Sequence, residues 1–132
     1  MTHRKSVYVE GFGHKNPIPA AARIGNIVAS GIIYGLDIAT GKPAPTLDEQ
    51  CALMFQHLRR IISESGCTTD DILKLNVYLK DRAQREPVNR VWLAMFPDPA
   101  TRPVRQTMQA DLDGGKLVQC DFLAVIGGKQ AE

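Results

Sequence analysis

Leu117-Val118-Gln119-Cys120-Asp121-Phe122-Leu123-Ala124-Val125-Ile126 alternates as a β-strand does. Val118, Cys120, Phe122, Ala124 and Ile126 make one wholly apolar side. Leu117, Gln119, Asp121, Leu123 and Val125 make the other, where Leu and Val stand beside Gln and Asp. The first side belongs against a core. The second fits either a seam where the sheets of two subunits meet, or an amphipathic edge strand on a monomer.

Upstream, Asp113-Gly114-Gly115 carries turn chemistry and predicts a hairpin to a strand over roughly 103–112. Before it, Val88, Val91, Trp92, Met95 and Phe96 recur at helical spacing. Asp81 and Gln84 are candidate caps, and Pro97 and Pro99 a stop. Ile72 to Leu79 reads as a strand. The other helix is better marked still. Thr46 and Glu49 form a capping box, an apolar stripe runs through Leu47, Cys51, Met54, Leu58, Ile61 and Ile62, and Gly66 ends it.

Toward the start, residues 5–10 alternate as a strand, and 11–20 hold Gly11, Gly13, Pro17 and Pro19, hence a loop. Ile24 to Ile33 reads as a buried strand pair or a bulged strand with Gly31 at the bulge. Residues 37–46 read as a second loop. Two helices for four to six strands can cover one face of a sheet but not both, so the expectation is α+β with a mixed β-sheet. If the uncovered side is a seam, the assembly is a symmetric oligomer.

Composition narrows the function. The 132 residues suit one domain, 1–132, and 44% hydrophobic with 23% charged residues are ordinary globular values. Sixteen Lys and Arg against fourteen Asp and Glu leave +2, too small an excess for a nucleic-acid module driven by counterion release. No apolar run is long enough to span a bilayer. The start, Met-Thr-His-Arg-Lys-Ser, leads into Val-Tyr-Val-Glu and not an apolar h-region, so no secretory signal is expected. Cys51, Cys67 and Cys120 are odd in number and widely spaced, which suits reduced thiols in the cytoplasm. Cys51 and Cys120 fall on apolar faces; Cys67, after Gly66, is expected in an exposed loop. His3, His14 and His57 lack zinc-ligand spacing, and no metal site is expected.

Several residues carry chemistry that could serve a site. Arg105 shares a strand face with Thr107 and Gln109, and its planar fork suits a carboxylate; a solvated or salt-bridged strand Arg fits the pattern too. Gln119 and Asp121 share a face of the last strand. Across the expected hairpin Gln119 would sit near Arg105 or Thr107, as a pocket wall or as plain hydrogen-bonded sheet surface. Ser30-Gly31 ends an apolar strand, where glycine admits close backbone approach and serine offers a donor and an acceptor; it fits a plain strand end equally. No G-x-S-x-G elbow is present. Asn89 lies beside the Val88 face of the second helix.

In order, Asn16-Pro17-Ile18-Pro19-Ala20-Ala21, Ile27-Val28-Ala29-Ser30-Gly31, Asp37 with Thr40-Gly41, the Gln50-to-Gly66 helix, Asp70 to Leu79, Asn89 with Phe96, Arg102-Pro103-Val104-Arg105 and Leu117 to Ala124 resemble the reactive-intermediate deaminase family of the RidA/YjgF type, formerly the L-PSP endoribonuclease family. The resemblance runs from about Gly13 to Gly127. It implies a chorismate-mutase-like subunit, two helices on one face of the sheet, in a homotrimer with ligand clefts between subunits. It implies hydrolysis of enamine and imine acids to 2-keto acids and ammonia, without metal or organic cofactor. Arg105 matches the family's carboxylate-holding Arg, and Ser30, Gly31, Asn89 and Thr107 match pocket positions. Four matches depart from the pattern: Ile18 replaces the pocket Tyr, Gln106 a small residue, Thr107 a Cys, and Gln119 the water-positioning Glu. Gln orients a water but cannot take its proton.

The expected partner is therefore a small carboxylate substrate, with no nucleic acid and no membrane. Two rivals use the same pocket: a non-catalytic keto-acid binding or sensing protein, and a catabolic deaminase of the aminomuconate or aminoacrylate type, reshaped through Ile18 and Tyr34. Ribonuclease action lacks a catalytic His pair and a basic stripe with aromatics.

Overall fold

A computed structural model describes residues 3–13 and 16–127. Seven strands form one mixed sheet: β1 (Arg4–Val7), β2 (Ala21–Ile24), β3 (Ile27–Ser30), β4 (Ile33–Tyr34), β7 (Ile72–Leu79), β8 (Val104–Gln109) and β9 (Val118–Val125). Their order is β1-β2-β3-β9-β7-β8, with β4 continuing β3's edge along β9. A small hairpin, β5 (Leu36–Asp37) with β6 (Lys42–Pro43), occupies what reads in the sequence as loop. Helices α1 (Leu47–Glu64) and α2 (Glu86–Met95) complete the described elements, with a single 3₁₀ turn at Thr69–Asp71.

The alternation of the last strand appears directly in burial. Val118, Cys120, Phe122 and Ala124 are buried with Leu75, Val77 and Leu79 of β7. Met54, Phe55, Leu58, Ile61 and Ile62 of α1 and Val88 of α2 join the same core. Gln119, Asp121, Leu123 and Val125 face the side without helices. Ile24 and Ile27, read in the sequence as buried, are 45% and 54% exposed because register places them on that side too, Ile27 opposite Val125. The stretch is a true strand pair, turning at Gly25-Asn26, and Gly31 lies at the break between β3 and β4 rather than in a bulge.

Thr46 is the N-cap but the expected capping box is only half formed: its Oγ1 accepts from the Glu49 N–H at 3.2 Å, while the Glu49 carboxylate accepts from that hydroxyl at 2.9 Å and not from the Thr46 backbone N–H. The caps expected for α2 are not used. Asp81 holds the turn before it by accepting from the Ala83 N–H, and Arg85 is the N-cap, without a side-chain cap bond. Gly35 is required by packing, since a Cβ there would lie 2.4 Å from the Gln50 backbone.

The Asp113-Gly114-Gly115 turn is not a hairpin. β8 pairs with β7 in parallel, reached through α2, so β7's other edge is the one left for β9, which pairs there antiparallel. The glycines, at φ 65° and 84°, instead carry the chain over the end of β7. There the Lys80 N–H donates to Leu117 O. Turn chemistry is the same for a hairpin and for such a crossing; strand-edge availability decides between them.

Candidate functional site

Because β7 and β8 are parallel and in register, Arg105, Thr107 and Gln109 share the side of Leu75, Val77 and Leu79, the helix side. Beyond β8 lies no further described strand, so these side chains stand at the sheet's rim under α2. Asn89 and Trp92 are three residues apart on that helix and project together. Arg105 Nη2 donates to Asn89 Oδ1 at 2.7 Å, and Nε donates to Thr107 Oγ1 at 3.0 Å. The guanidinium carbon lies 5.0 Å from the Trp92 ring centroid, and Trp92 packs edge-on against Phe96.

These partners are all neutral. Of the five N–H donors of a guanidinium, two are engaged, and Nη1 is buried with no partner. Among the described residues no carboxylate pairs with Arg105. Burial, and next the charge of Arg85, lower its pKa, yet arginine stays protonated in proteins. A half-buried, oriented cation without a counter-ion is a receptor for an anion.

Gln119 is elsewhere. It pairs with Tyr34 on one flank and Tyr78 on the other, and β7 separates β9 from β8. It also faces the uncovered side, whereas Arg105 faces the helices. The expected neighbourhood of Gln119 and Arg105 within one chain is therefore corrected: they lie on opposite sides of the sheet. Nearby Asp121 accepts from Asn76 Nδ2 at 2.8 Å, and its charge and hydrogen bond, after burial, raise the Tyr78 pKa. It is committed to that cluster.

Ser30 proves to be a sheet component. β3 pairs with β9 through Ala29–Leu123 and β4 resumes at Ile33–Cys120. Ser30 Oγ fills the break, accepting from the Phe122 N–H at 2.9 Å and donating to its neighbour's carbonyl, Gly31 O, at 2.8 Å. Its proton is thus already used. At Gly31 a Cβ would meet only ordinary contacts, 3.9 Å from Ala20 O and Pro19 O, so nothing within the chain requires glycine there. Ile18, 47% exposed, lines a cavity of about 450 Å³ with Ile32, Tyr34 and Lys116, whose ammonium lies 4.9 Å from the Tyr34 ring centroid.

The sequence reading assigned no site role to Trp92 or Gln50. Trp92 lies three residues beyond Asn89, a spacing that could have flagged it. Gln50 interrupts the apolar stripe of α1 and is 1% exposed. Its Nε2 donates to Ala44 O and Gly115 O, and its Oε1 accepts from the Leu117 N–H, tying the glycine turn to α1. Cys67 is buried, not exposed, because the chain folds back beneath α1 with its N–H donating to Ile62 O. Burial raises all three thiol pKa values, that of Cys51 to about 12. His57 is buried, its Nε2 bonded to Leu36 O, and takes a structural part. Among the described residues no three His, Cys, Asp or Glu side chains gather to hold a metal ion, and no helix is long and apolar enough to cross a membrane.

The family model described as Endoribonuclease L-PSP matches residues 16–126. A RutC family protein of Aquifex aeolicus (strain VF5) is 24% identical over 117 residues, covering 84% of this chain and 94% of its own length. The 2-iminobutanoate/2-iminopropanoate deaminase of Dermatophagoides farinae is 25% identical over 113 residues, covering 83% of this chain and 86% of its own. Among solved structures, a probable translation initiation inhibitor from Rhodopseudomonas palustris superposes with a TM-score of 0.85 at 25% identity, covering 93% of this chain and 98% of that one.

Proposed function

The chain belongs to the endoribonuclease L-PSP (YjgF/RidA) family, and on that premise we propose that it is a deaminase hydrolysing 2-imino and enamine carboxylic acids to 2-keto acids and ammonia. The observation that carries this reading is Arg105, aimed by Asn89 and Thr107, stacked on Trp92 and lacking a counter-ion. The deaminase named among the relatives supports it. The substrate's carboxylate takes the open donors of Arg105. A water oxygen then bonds to C2 of the protonated imine, and the C=N π pair moves to nitrogen. Proton transfer from the added water to that nitrogen gives an ammonium leaving group. The C–N bond breaks as C=O forms, and the hydroxyl proton passes to the departing ammonia, giving the 2-keto acid and ammonium. Every atom comes from imine and water and no oxidation state changes, so the step needs no oxidant, reductant or group carrier.

Gln119 orients the water through Oε1, and Gly31 gives the substrate close backbone approach. Since Gln119 and Arg105 lie on opposite sides of one sheet, the site needs one residue from each of two copies. A homotrimer provides this. Exposed Ile24, Ile27, Leu123 and Val125 on the helix-free side support burial of that side between copies. Unpaired, buried thiols suit a reducing compartment, the cytoplasm.

A second reading, a keto-acid binding protein without chemistry, is favoured by Gln119, which cannot accept a proton. The test is ammonia release from an imine generated in situ by an amino-acid oxidase. Deamination expects a rate above the uncatalysed one that Arg105→Ala abolishes. Binding of the keto acid with no rate gain selects the second reading, and neither binding nor rate rejects both.

A further inference from the structure

The row of side chains that begins with Arg105 continues along β8 toward a separate cavity lined by Arg85. Along β8 the next side chains on the same side are Thr107 and Gln109. The overlying chain runs the opposite way. Asn89 stands over Arg105, Arg85 lies one helical turn earlier, and the Arg82 N–H donates to Gln109 Oε1 at 3.1 Å. The Asn89 N–H donates to Arg85 O at 2.9 Å, so Arg85 already has helical geometry and shares Asn89's face. Arg85 is therefore placed about 5.4 Å further along this row than Asn89. Its Nε donates to Arg82 O at 3.1 Å, which leaves its Nη groups open. With Asp81, Arg82, Ala83 and Gln109 it lines a cavity of about 460 Å³.

Arg105 and Arg85 thus stand along one side of β8, near enough for the charge of Arg85 to act on Arg105, and among the described residues neither forms an ion pair, although Asp81 lines the Arg85 cavity. The nearest acids are turned to other work. Glu86 and Asp48 pair with Arg90, and Asp81 accepts from the Ala83 N–H. Like charges held together are mutually unfavourable until an anion bridges them. One carboxylate satisfies Arg105; a second, about a helical turn away, satisfies Arg85.

We propose that Arg85 is a second carboxylate-recognising residue, and that the site selects dicarboxylic 2-imino acids of four or five carbons over monocarboxylic ones. The inference rests on the reading of Arg105 given above and adds the substrate class. The α-carboxylate lies on Arg105, C2 beside it, and the side-chain carboxylate runs over Thr107 to Arg85. Within this view Gln109 and Arg82 close the far end.

The experiment titrates the intact protein by calorimetry with 2-oxoglutarate, oxaloacetate and 2-oxobutanoate, the keto acids such reactions release. Wild type is expected to bind the two diacids about tenfold more tightly or better, the scale of one charge-assisted contact. Arg85→Gln should lose that preference while 2-oxobutanoate affinity holds, and Arg85→Lys should restore part of it. Arg105→Ala should lose all three ligands. Unchanged thermal midpoints establish that the variants fold. If 2-oxobutanoate binds through Arg105 but wild type shows no diacid preference, or Arg85→Gln keeps it, the Arg85 proposal is wrong and the Arg105 reading survives. If no keto acid binds wild type, the Arg85 proposal falls, and the Arg105 reading falls with it where Arg105-dependent imine turnover is also absent.

Discussion

Ser30→Ala separates a residue that builds the site from one that touches substrate. The Ser30 hydroxyl occupies the gap between the β3 and β4 ladders, and the Phe122 N–H has it as partner at 2.9 Å. Alanine leaves that N–H unpaired in a half-buried strand and frees Gly31 O. Orphaning one such group costs about 1–3 kcal/mol. For a chain of this size each kcal/mol moves the melting midpoint by about 3–5 °C. Scanning calorimetry of Ser30→Ala should therefore show a midpoint lowered by several degrees, whereas Ser30→Thr, which retains the hydroxyl, should lose less. Hydrogen exchange should show the Phe122 amide losing protection ahead of its neighbours. A midpoint within a degree of wild type, together with lost keto-acid affinity, would refute the reasoning and return Ser30 to the ligand.

Gln50→Leu removes three hydrogen bonds at once, so it should destabilise by about 1–3 kcal/mol for each backbone group it orphans, and protease cleavage should move to the 113–117 turn. Alkaline pH should destabilise the fold. The buried Cys51 thiol titrates near 12 when folded against 9.0 when exposed, so its contribution is complete below pH 9 and is lost as pH rises from 9 toward 12. Above pH 9 the unfolded chain has released protons the native one keeps; urea midpoints that stay flat or rise there would contradict this. Gln119→Glu supplies a proton acceptor and should raise imine turnover by about 10²–10⁴-fold with keto-acid affinity little changed. A rate unmoved by that change would remove Gln119 from the reaction.

The last strand's alternation exposed most of the architecture, because burial and pleat share a period of two residues. Helix α1 was legible from Thr46, Glu49 and its stripe, each a local signal. The error at Gly114-Gly115 was global. A glycine turn records its own dihedral angles, not which edge of β7 is vacant, and that misplacement brought Gln119 beside Arg105. Arg105 and Thr107 share a strand face by alternation, and the structure adds Asn89 to them through a hydrogen bond that helix spacing alone does not foretell. Trp92 stands in the apolar helix stripe, and only its spacing from Asn89 points to the cation that stacks on it. Ser30 was singled out for a hydroxyl that the sheet itself consumes; strand breaks leave no mark in composition. Cys67 followed a helix-stopping glycine and so read as exposed, although the returning chain covers it.

The central claim is that Arg105 of one copy and Gln119 of another close on one small acid. A crystal soaked with 2-oxobutanoate tests it most directly. The account predicts the carboxylate on the Arg105 guanidinium, with Gln119 of a neighbouring copy facing C2. A carboxylate bound elsewhere, or an assembly that keeps Gln119 remote from every Arg105, would contradict it.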